Sequence, residues 1–291
     1  MPPGQNKTTI YAPRVHGDLD LGRAPNRINN DGDQELARMI FPGTLLPGQT
    51  AAEIYTSGTD KKYPIATRLE MDERVFRYAK IGGTDAMGGR GVANLSTSQE
   101  TALAAATSAV GATTVTITVQ GSGLSADELS GGYLCYRRTR YYQHRILSHP
   151  AAITGATCVL TLETALVVQG VVSGETTLNA YANPWAKVGY GNGVGSACSI
   201  VGMPFGDIVV GQYTWVQTWG PVNICPGAFY GDAPNMKQCW FTSDGALAIF
   251  PSGSWTGPYQ QAGFVMPCTY YDAGRHNMAD GGHMIFLQIC P

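Results

Sequence analysis

Residues Gly206 to Ile224, GDIVVGQYTWVQTWGPVNI, are the stretch of sequence that decides the fold class. Residues 208–210 form a β-branched run, Gly211-Gln212 is typical of a turn, and Tyr213 to Trp219 alternates strictly between large and polar or β-branched side chains. The side chains that share one face of this second strand are Tyr213, Trp215, Gln217 and Trp219. We therefore expect a β-hairpin whose aromatic face packs on another sheet or on another chain.

The rest of the chain predicts further short strands at a spacing of about ten residues, which is typical of β-sandwiches and barrels. A single helix is expected at about 94–110, because Ser96 is a suitable cap, Gln99 has the capping-box spacing and the following residues are rich in alanine. The sequence thus indicates a mainly β protein with small β-sandwich or barrel domains, one short-to-medium helix and an extended N-terminal arm.

Three regions are expected along the chain. Residues 1–66 are an extended N-terminal arm and linker, since residues 1–32 lack a sustained period and are rich in Pro, Gly and Asn. Residues 67–186 form a β domain that includes the helix. Residues 187–291 form a second, barrel-like β domain that begins where the chain becomes glycine-rich. The arm is expected to lie along a neighbouring subunit.

The composition points to a protein that works inside an assembly. Charged residues make up 14% of the 291 residues, against about a quarter in an average soluble domain. A free monomer stays soluble through its surface charge, so this chain is expected to bury much of its surface against other subunits. The net charge of −2 argues against a nucleic-acid partner. No apolar run of about 20 residues is present, and no membrane partner is expected.

The sequence contains no pattern that predicts catalysis, a cofactor or a metal site. Seven cysteines without a CxxC pair favour reduced, buried thiols in a protein made in a cytoplasm. G-x-S-x-G does not occur, and the glycine-rich segments lack the ending of a P-loop. His276, Asp280 and His283 lack a strict metal-ligand spacing, so we expect a polar turn there. We therefore expect a protein that is not an enzyme.

Arginine and aromatic side chains supply the candidate interface residues. Between 137 and 145 lies a cluster of Arg137, Arg138, Arg140, Tyr141, Tyr142, His144 and Arg145. It suits a contact with a neighbouring subunit, and binding of a polyanion and a solvated turn are the alternatives. The strand at 74–80 carries arginines on both faces, which favours an edge or an interface. The candidate interface residues are Tyr213, Trp215, Trp219, Arg137, Arg138, Arg140, Arg74, Phe76 and Arg77.

Four segments, in this order, resemble structural proteins of tailed bacteriophages. They are YPIATRLEMDERVFRYAKIGG (residues 63–83), SGGYLCY (130–136), NPW (183–185) and YTWVQTWGP (213–221). The likeness spans residues 48–225, and none of its motifs is a catalytic signature. The chain departs from the family pattern in its more basic hairpin at 136–145, which leaves the role of those arginines open.

The resemblance implies a non-enzymatic protein of the virion, made in the host cytoplasm, that decorates and stabilises the capsid. Its partners would be the major capsid protein and further copies of itself. Two alternatives remain open. One is a major shell or tail subunit, although the long helix of the common shell fold is not expected here. The other is a glycan- or receptor-binding head fibre protein that uses Trp215 and Trp219.

Overall fold

The structure is a computed structural model. It describes residues 51–95, 99–120, 123–167, 170–174, 178–190, 199–223, 238–242, 244–249, 260–266 and 284–291. The expected arm over residues 1–32 and the polar segment with His276, Asp280 and His283 lie outside the described residues.

The described residues are almost entirely β-structure, which confirms the predicted fold class. A 3₁₀ helix at Ala51–Tyr55 comes first. The strands that follow, in chain order, are β1 Ser57–Gly58, β2 Arg68–Met71, β3 Arg74–Lys80, β4 Val92–Asn94, β5 Gln99–Ala104, β6 Thr114–Thr118, β7 Tyr133–Arg137, β8 Tyr141–Ser148, β9 Thr157–Leu162, β10 Leu178–Tyr181, β11 Val188–Tyr190, β12 Ile200–Gly202, β13 Tyr213–Asn223, β14 Gln238–Phe241, β15 Leu247–Ile249, β16 Gln260–Val265 and β17 Met284–Gln288.

The largest sheet is antiparallel and is organised around β13. Its strand order is β15-β14-β16-β17-β13-β3-β2, and β1 also pairs with β13. The first part of β13 pairs with β3, from Tyr213 with Lys80 to Trp219 with Val75, and its last five residues pair with β17. A three-stranded sheet, β11-β4-β12, packs beside it. We call these two sheets together the body.

Six strands form a closed antiparallel barrel in the order β10-β5-β6-β9-β8-β7. The barrel is an insertion between β4 and β11 of the body. Those two strands pair with each other, and the Leu95 amide donates to the Lys187 carbonyl over 2.8 Å, so the chain leaves the body and returns to it at one place. The barrel has a core of its own, whose buried members all lie between Ala104 and Ala180.

The expected helix at 94–110 is wrong. Within the described part of this range the chain forms β5, which pairs with β10 from Gln99 to Ala102 and with β6 through Leu103 and Ala104. Alanine's helix propensity amounts to a few tenths of a kcal/mol per residue. The hydrogen bonds of β5 to its two neighbouring strands outweigh this helix propensity, because the barrel closes only if a strand lies between β10 and β6.

The expected hairpin at 206–224 is half right. The strand from Tyr213 is confirmed, and it extends to Asn223. Residues 208–210 do not pair with it, because Ile208 forms an isolated bridge with Ala86. Gly211, at a φ of +92°, instead turns the chain so that β13 lies between β3 and β17. The turn was recognisable from the sequence, whereas the distant partners were not.

The sheets also differ from the expected division at residues 67–186 and 187–291. β2 and β3 belong to the first of these regions, yet they lie in one sheet with β13 and β17. Of the two positions expected for β3, an edge or an interface, the edge is wrong, since β3 lies between β2 and β13. The structural units are the body, which draws on both ends of the described chain, and the inserted barrel.

Candidate interaction surfaces

Two residues on the aromatic face of β13, Trp215 and Tyr213, belong to the body core, whereas Trp219 is half-buried outside it. Trp215 is only 2% exposed, and its ring centroid lies 5.3 Å from that of Tyr63 and 5.1 Å from that of Tyr78. Tyr213 stacks on Tyr78 at 5.9 Å, and Trp219 meets Phe286 edge-on at 5.7 Å. Trp215 therefore stabilises the body from within, and it is not an interface residue on the surface of this chain.

The candidate residues on β3 are engaged within the chain as well. Phe76 is fully buried in the same core as Trp215, so it is not a surface residue either. Arg74 forms an ion pair with Asp72 at 3.3 Å. Arg77 donates to the Ala66 carbonyl over 3.3 Å, and its guanidinium lies 5.2 Å from the centre of the Trp185 ring. The two arginines thus hold neighbouring segments of the body together.

The Arg137–Arg145 cluster is divided by the alternation of β8. Tyr142 and His144 point into the barrel, where their rings stack on Tyr136 at 5.1 and 6.0 Å. Arg145 lies outside and pairs with Glu163 at 3.5 Å. The members at the β7–β8 turn are exposed, and they are Arg137, Arg138, Arg140 and Tyr141. Only this last group is available to a partner in the described structure.

These exposed residues lie at one end of the barrel, which we call the distal end. It comprises residues 105–113, 138–141, 164–167 and 170–174, because the antiparallel strands of the barrel place these three loops on the side opposite its connections to the body. Hydrogen bonds join the loops. Ser108 and Val171 exchange two backbone bonds of 2.8 and 2.9 Å, and Arg138 reaches the Gly170 carbonyl at 3.5 Å.

The other end of the barrel is held to the body by the segment Asn183-Pro184-Trp185. Asn183 is buried, accepts a hydrogen bond from the Trp185 amide at 3.0 Å and donates to the Ile65 carbonyl at 3.4 Å. The Trp185 indole donates to the Val201 carbonyl at 3.1 Å. The NPW motif therefore forms the junction between the two units.

A cleft of about 720 Å³ lies between the barrel and the body. Its charged lining residues on the body side are Lys61, Lys80 and Lys187, and on the barrel side Asp127, Glu128, Arg145 and Glu163. Lysines thus face a largely acidic wall. The geometry favours a barrel that is held close to the body by opposite charges, in addition to the contacts of Asn183.

His149 and Cys158 are close to each other inside the barrel unit, but they are not arranged for catalysis. The Leu129 amide donates to Nε2 of His149 over 2.9 Å, so the proton lies on Nδ1, 2.8 Å from the Pro150 carbonyl. A ring nitrogen that carries this proton does not remove one from the Cys158 thiol, 3.8 Å away. Burial also raises the pKa of Cys158. His149 therefore anchors the loop at Leu129.

Burial sets the pKa of other groups in the two cores. It raises the pKa of Cys239 to about 12, so this thiol stays protonated at neutral pH. Burial also lowers the pKa of His144, against a hydrogen bond with Thr164. The cysteines in the described part of the chain are free thiols, as the spacing indicated. Cys198, Cys225 and Cys268 lie outside the described residues.

Asp244 and Arg90 connect two parts of the body. Arg90 Nη1 lies 2.8 Å from Oδ2 of Asp244, and Oδ1 accepts hydrogen bonds from the Thr242 hydroxyl and the Ala246 amide. Burial by itself raises the pKa of Asp244. The hydrogen bonds and the charge of Arg90 nevertheless hold this pKa below its ordinary value. The ionised carboxylate thus fixes the β14–β15 turn against the loop before β4.

Within the described residues, no group of three or more His, Cys, Asp or Glu side chains is placed to hold a metal ion. Nor does that part of the chain contain a helix long and apolar enough to cross a membrane.

The sequence did not predict the distal end of the barrel as a unit, nor the cleft between the barrel and the body. The basic residues at 137–140 were the signal for the distal end, but two further loops that are distant in sequence complete it.

Comparison with families of known proteins, with curated proteins and with solved structures found no match for this chain.

Proposed function

We propose that the protein is a non-enzymatic structural component of a tailed-phage virion that binds and stabilises the capsid. Its partners are the major capsid protein and further copies of itself, and it is made in the host cytoplasm before it joins the particle. Two lines of reasoning support the proposal. One is the resemblance carried by four segments between residues 48 and 225, and the other is the surface of the barrel.

The apolar surface of the barrel is the observation that best supports binding to the capsid. Ile153 is 78% exposed, and Tyr141 is 81% exposed. The other exposed large apolar side chains of this unit are Val110, Tyr133, Leu147, Val159, Val167, Val172 and Tyr181. Residues 99–181 contain only nine charged side chains. An apolar, weakly charged surface of this kind is typically covered by a protein partner.

The glycan-binding alternative, which uses Trp215 and Trp219, is less favoured because Trp215 is buried in the body core and Trp219 is half-buried. A sugar stacks on an exposed aromatic ring, and reaching Trp215 would require the packing around Tyr63 and Tyr78 to open. A capsid contact needs no such change. It buries side chains of the barrel that already face solvent.

The proposal is tested by adding the purified protein to phage particles that lack it. Bound copies are counted by quantitative mass spectrometry, and capsid stability is followed by the temperature at which DNA is released. We expect saturable binding and a higher release temperature. Particles that bind no protein at saturating concentration contradict the proposal.

A barrel variant and a matched control make the test specific. Ile153→Lys combined with Val159→Lys places charges on two exposed apolar positions, and we expect the apparent affinity for particles to fall about tenfold or more. Thr59→Lys adds the same kind of charge at an exposed polar position of the body and is expected to leave binding unchanged. Equal binding by both variants counts against the barrel as the contact surface.

A further inference from the structure

We infer that copies of this chain associate head to tail, with the distal end of one barrel docked on an acidic, apolar patch on the body of the next copy. This body patch consists of residues 85–88 and 206–210. The inference goes beyond the proposed function, because it concerns a contact between identical chains and holds whether or not the larger partner is a capsid.

The distal end combines exposed apolar side chains with positive charge. Val167 is 68% exposed, and Tyr141, Val110 and Val172 are exposed beside it in the joined loops. Arg137, Arg138 and Arg140 supply the charge. In the described residues of loops 105–113, 138–141 and 164–174 there is no Asp or Glu. Tyrosine and arginine are also the residue types that contribute most to protein interfaces.

Arg137, Arg138 and Tyr141 make contacts within the chain before any partner arrives. The guanidinium of Arg137 lies 5.5 Å from the centre of the Tyr141 ring, and Arg138 is bonded to the Gly170 carbonyl. The Arg138 amide donates to the Arg140 carbonyl at 3.0 Å and closes the β7–β8 turn. A surface fixed in this way loses little conformational entropy when it binds.

The body patch has the complementary properties. Met87, Val209 and Val210 are exposed, as are the side chains of Asp85 and Asp207. Neither segment of the patch contains a Lys or Arg.

The patch is rigid as well. Ala86 and Ile208 are joined by two backbone hydrogen bonds, Asp85 accepts from the Val210 amide at 2.8 Å, and Asp207 accepts from the Gly88 amide at 2.9 Å. Both bonds are accepted by Oδ1, and within the described residues Oδ2 of each carboxylate accepts no hydrogen bond, so it can accept one from a partner.

Charge decides how two copies meet. Two distal ends facing each other would bring six arginines together, and two body patches would bring four aspartates together, so symmetric contacts through either surface are disfavoured. When the distal end of one copy contacts the body patch of another, opposite charges pair around the apolar side chains at the centre of the contact. Such a contact joins two different surfaces and repeats from copy to copy, which produces rings or filaments.

Two variants test the contact without disturbing the fold. Arg137→Gln with Arg140→Gln removes charge from the distal end, and Asp85→Asn with Asp207→Asn removes charge from the body patch while keeping the oxygens that accept the backbone hydrogen bonds. Sedimentation velocity at increasing protein concentration measures association. We expect wild type to form oligomers and each variant alone to dissociate, with a dissociation constant raised about tenfold or more.

Mixing the two variants gives the decisive result. Each retains the surface that the other has lost, so the mixture is expected to form a one-to-one dimer that does not grow further. A protein variant with Asp60→Asn and Lys61→Gln loses one charge of each sign outside both surfaces and should associate like wild type. Raising the salt concentration should weaken association of wild type.

Three outcomes would overturn the inference. They are a wild-type protein that stays monomeric at the highest soluble concentration, variants that associate as wild type does, and a mixture that forms no dimer. Because these measurements use no phage particles, their failure leaves the particle-binding test unaffected. Failure to bind particles would equally leave the head-to-tail contact standing.

Discussion

His144 lies inside the barrel, where its ring stacks on Tyr136 and meets the Thr164 hydroxyl at 3.4 Å. In the sequence it belongs to a group of arginines and tyrosines that suits a contact with a neighbouring subunit, with polyanion binding as an alternative. The strand period separates it from them, because side chains at even positions of β8 point inward. Its contribution is therefore to the stability of the barrel.

The free energy of unfolding should depend on pH through His144. Burial lowers its pKa in the folded protein, whereas the unfolded chain has an ordinary pKa near 6.5. As the pH falls below 6.5, His144 binds a proton in the unfolded state but not in the folded state. The free energy of unfolding therefore declines until the pH passes the pKa of His144 in the folded state. Above 6.5 this residue adds no pH dependence.

The variant His144→Gln isolates this effect. Urea unfolding is measured across the acidic range for both proteins, and we expect the variant to lose less stability than wild type as the pH is lowered. Parallel pH profiles for the two proteins would show that His144 titrates alike in the folded and unfolded states.

At the scale of elements, β13 organises the body. Both of its faces are buried over most of its length, and it pairs with β3 from early in the described chain and with β17 from its end. The Gln217 side chain donates to the Trp219 and Pro221 carbonyls, each at 2.9 Å, and so fixes the irregular register between the two halves. Trp215 and Tyr213 of β13 pack in one core with Phe76 and Tyr78 of β3.

Replacing Trp215 with Ala should destabilise the body severely. The substitution removes a fully buried indole from contact with Tyr63 and Tyr78, and changes of this kind cost about 3–5 kcal/mol. Tyr141→Ala is the matched control, because it removes an exposed aromatic ring and should cost within about 0.5 kcal/mol. Chemical denaturation measures both. Equal stability of the two variants would show that Trp215 is not a core residue.

At the scale of the whole molecule, the barrel is a closed unit inserted into the body. Its strands pair only with one another within the described structure, its core is its own, and its two connections leave the body side by side at Leu95 and Lys187. A closed barrel has no free edge that needs a partner strand. The distal end is then presented away from the junction formed by Asn183 and Trp185.

The barrel should therefore fold when it is separated from the body. A fragment of residues 95–182 is expected to show a β-type circular dichroism spectrum, dispersed amide resonances and a cooperative thermal transition. The body is expected to fold when a short glycine linker joins Leu95 to Lys187, since β4 and β11 are hydrogen-bonded neighbours. A fragment without a cooperative transition would mean that the body is required to complete the barrel.

The sequence by itself determined the β class, the strand at Tyr213 and the turn at Gly211, because each depends on a local period or a backbone preference. It did not determine the strand β5 or the position of β3 between β2 and β13. Hydrogen bonds between residues far apart in the chain decide these features. The distal end and the body patch likewise exist only in the tertiary structure, because each joins segments that are separated in sequence. The net charge of each surface is therefore set by residues that only folding brings together.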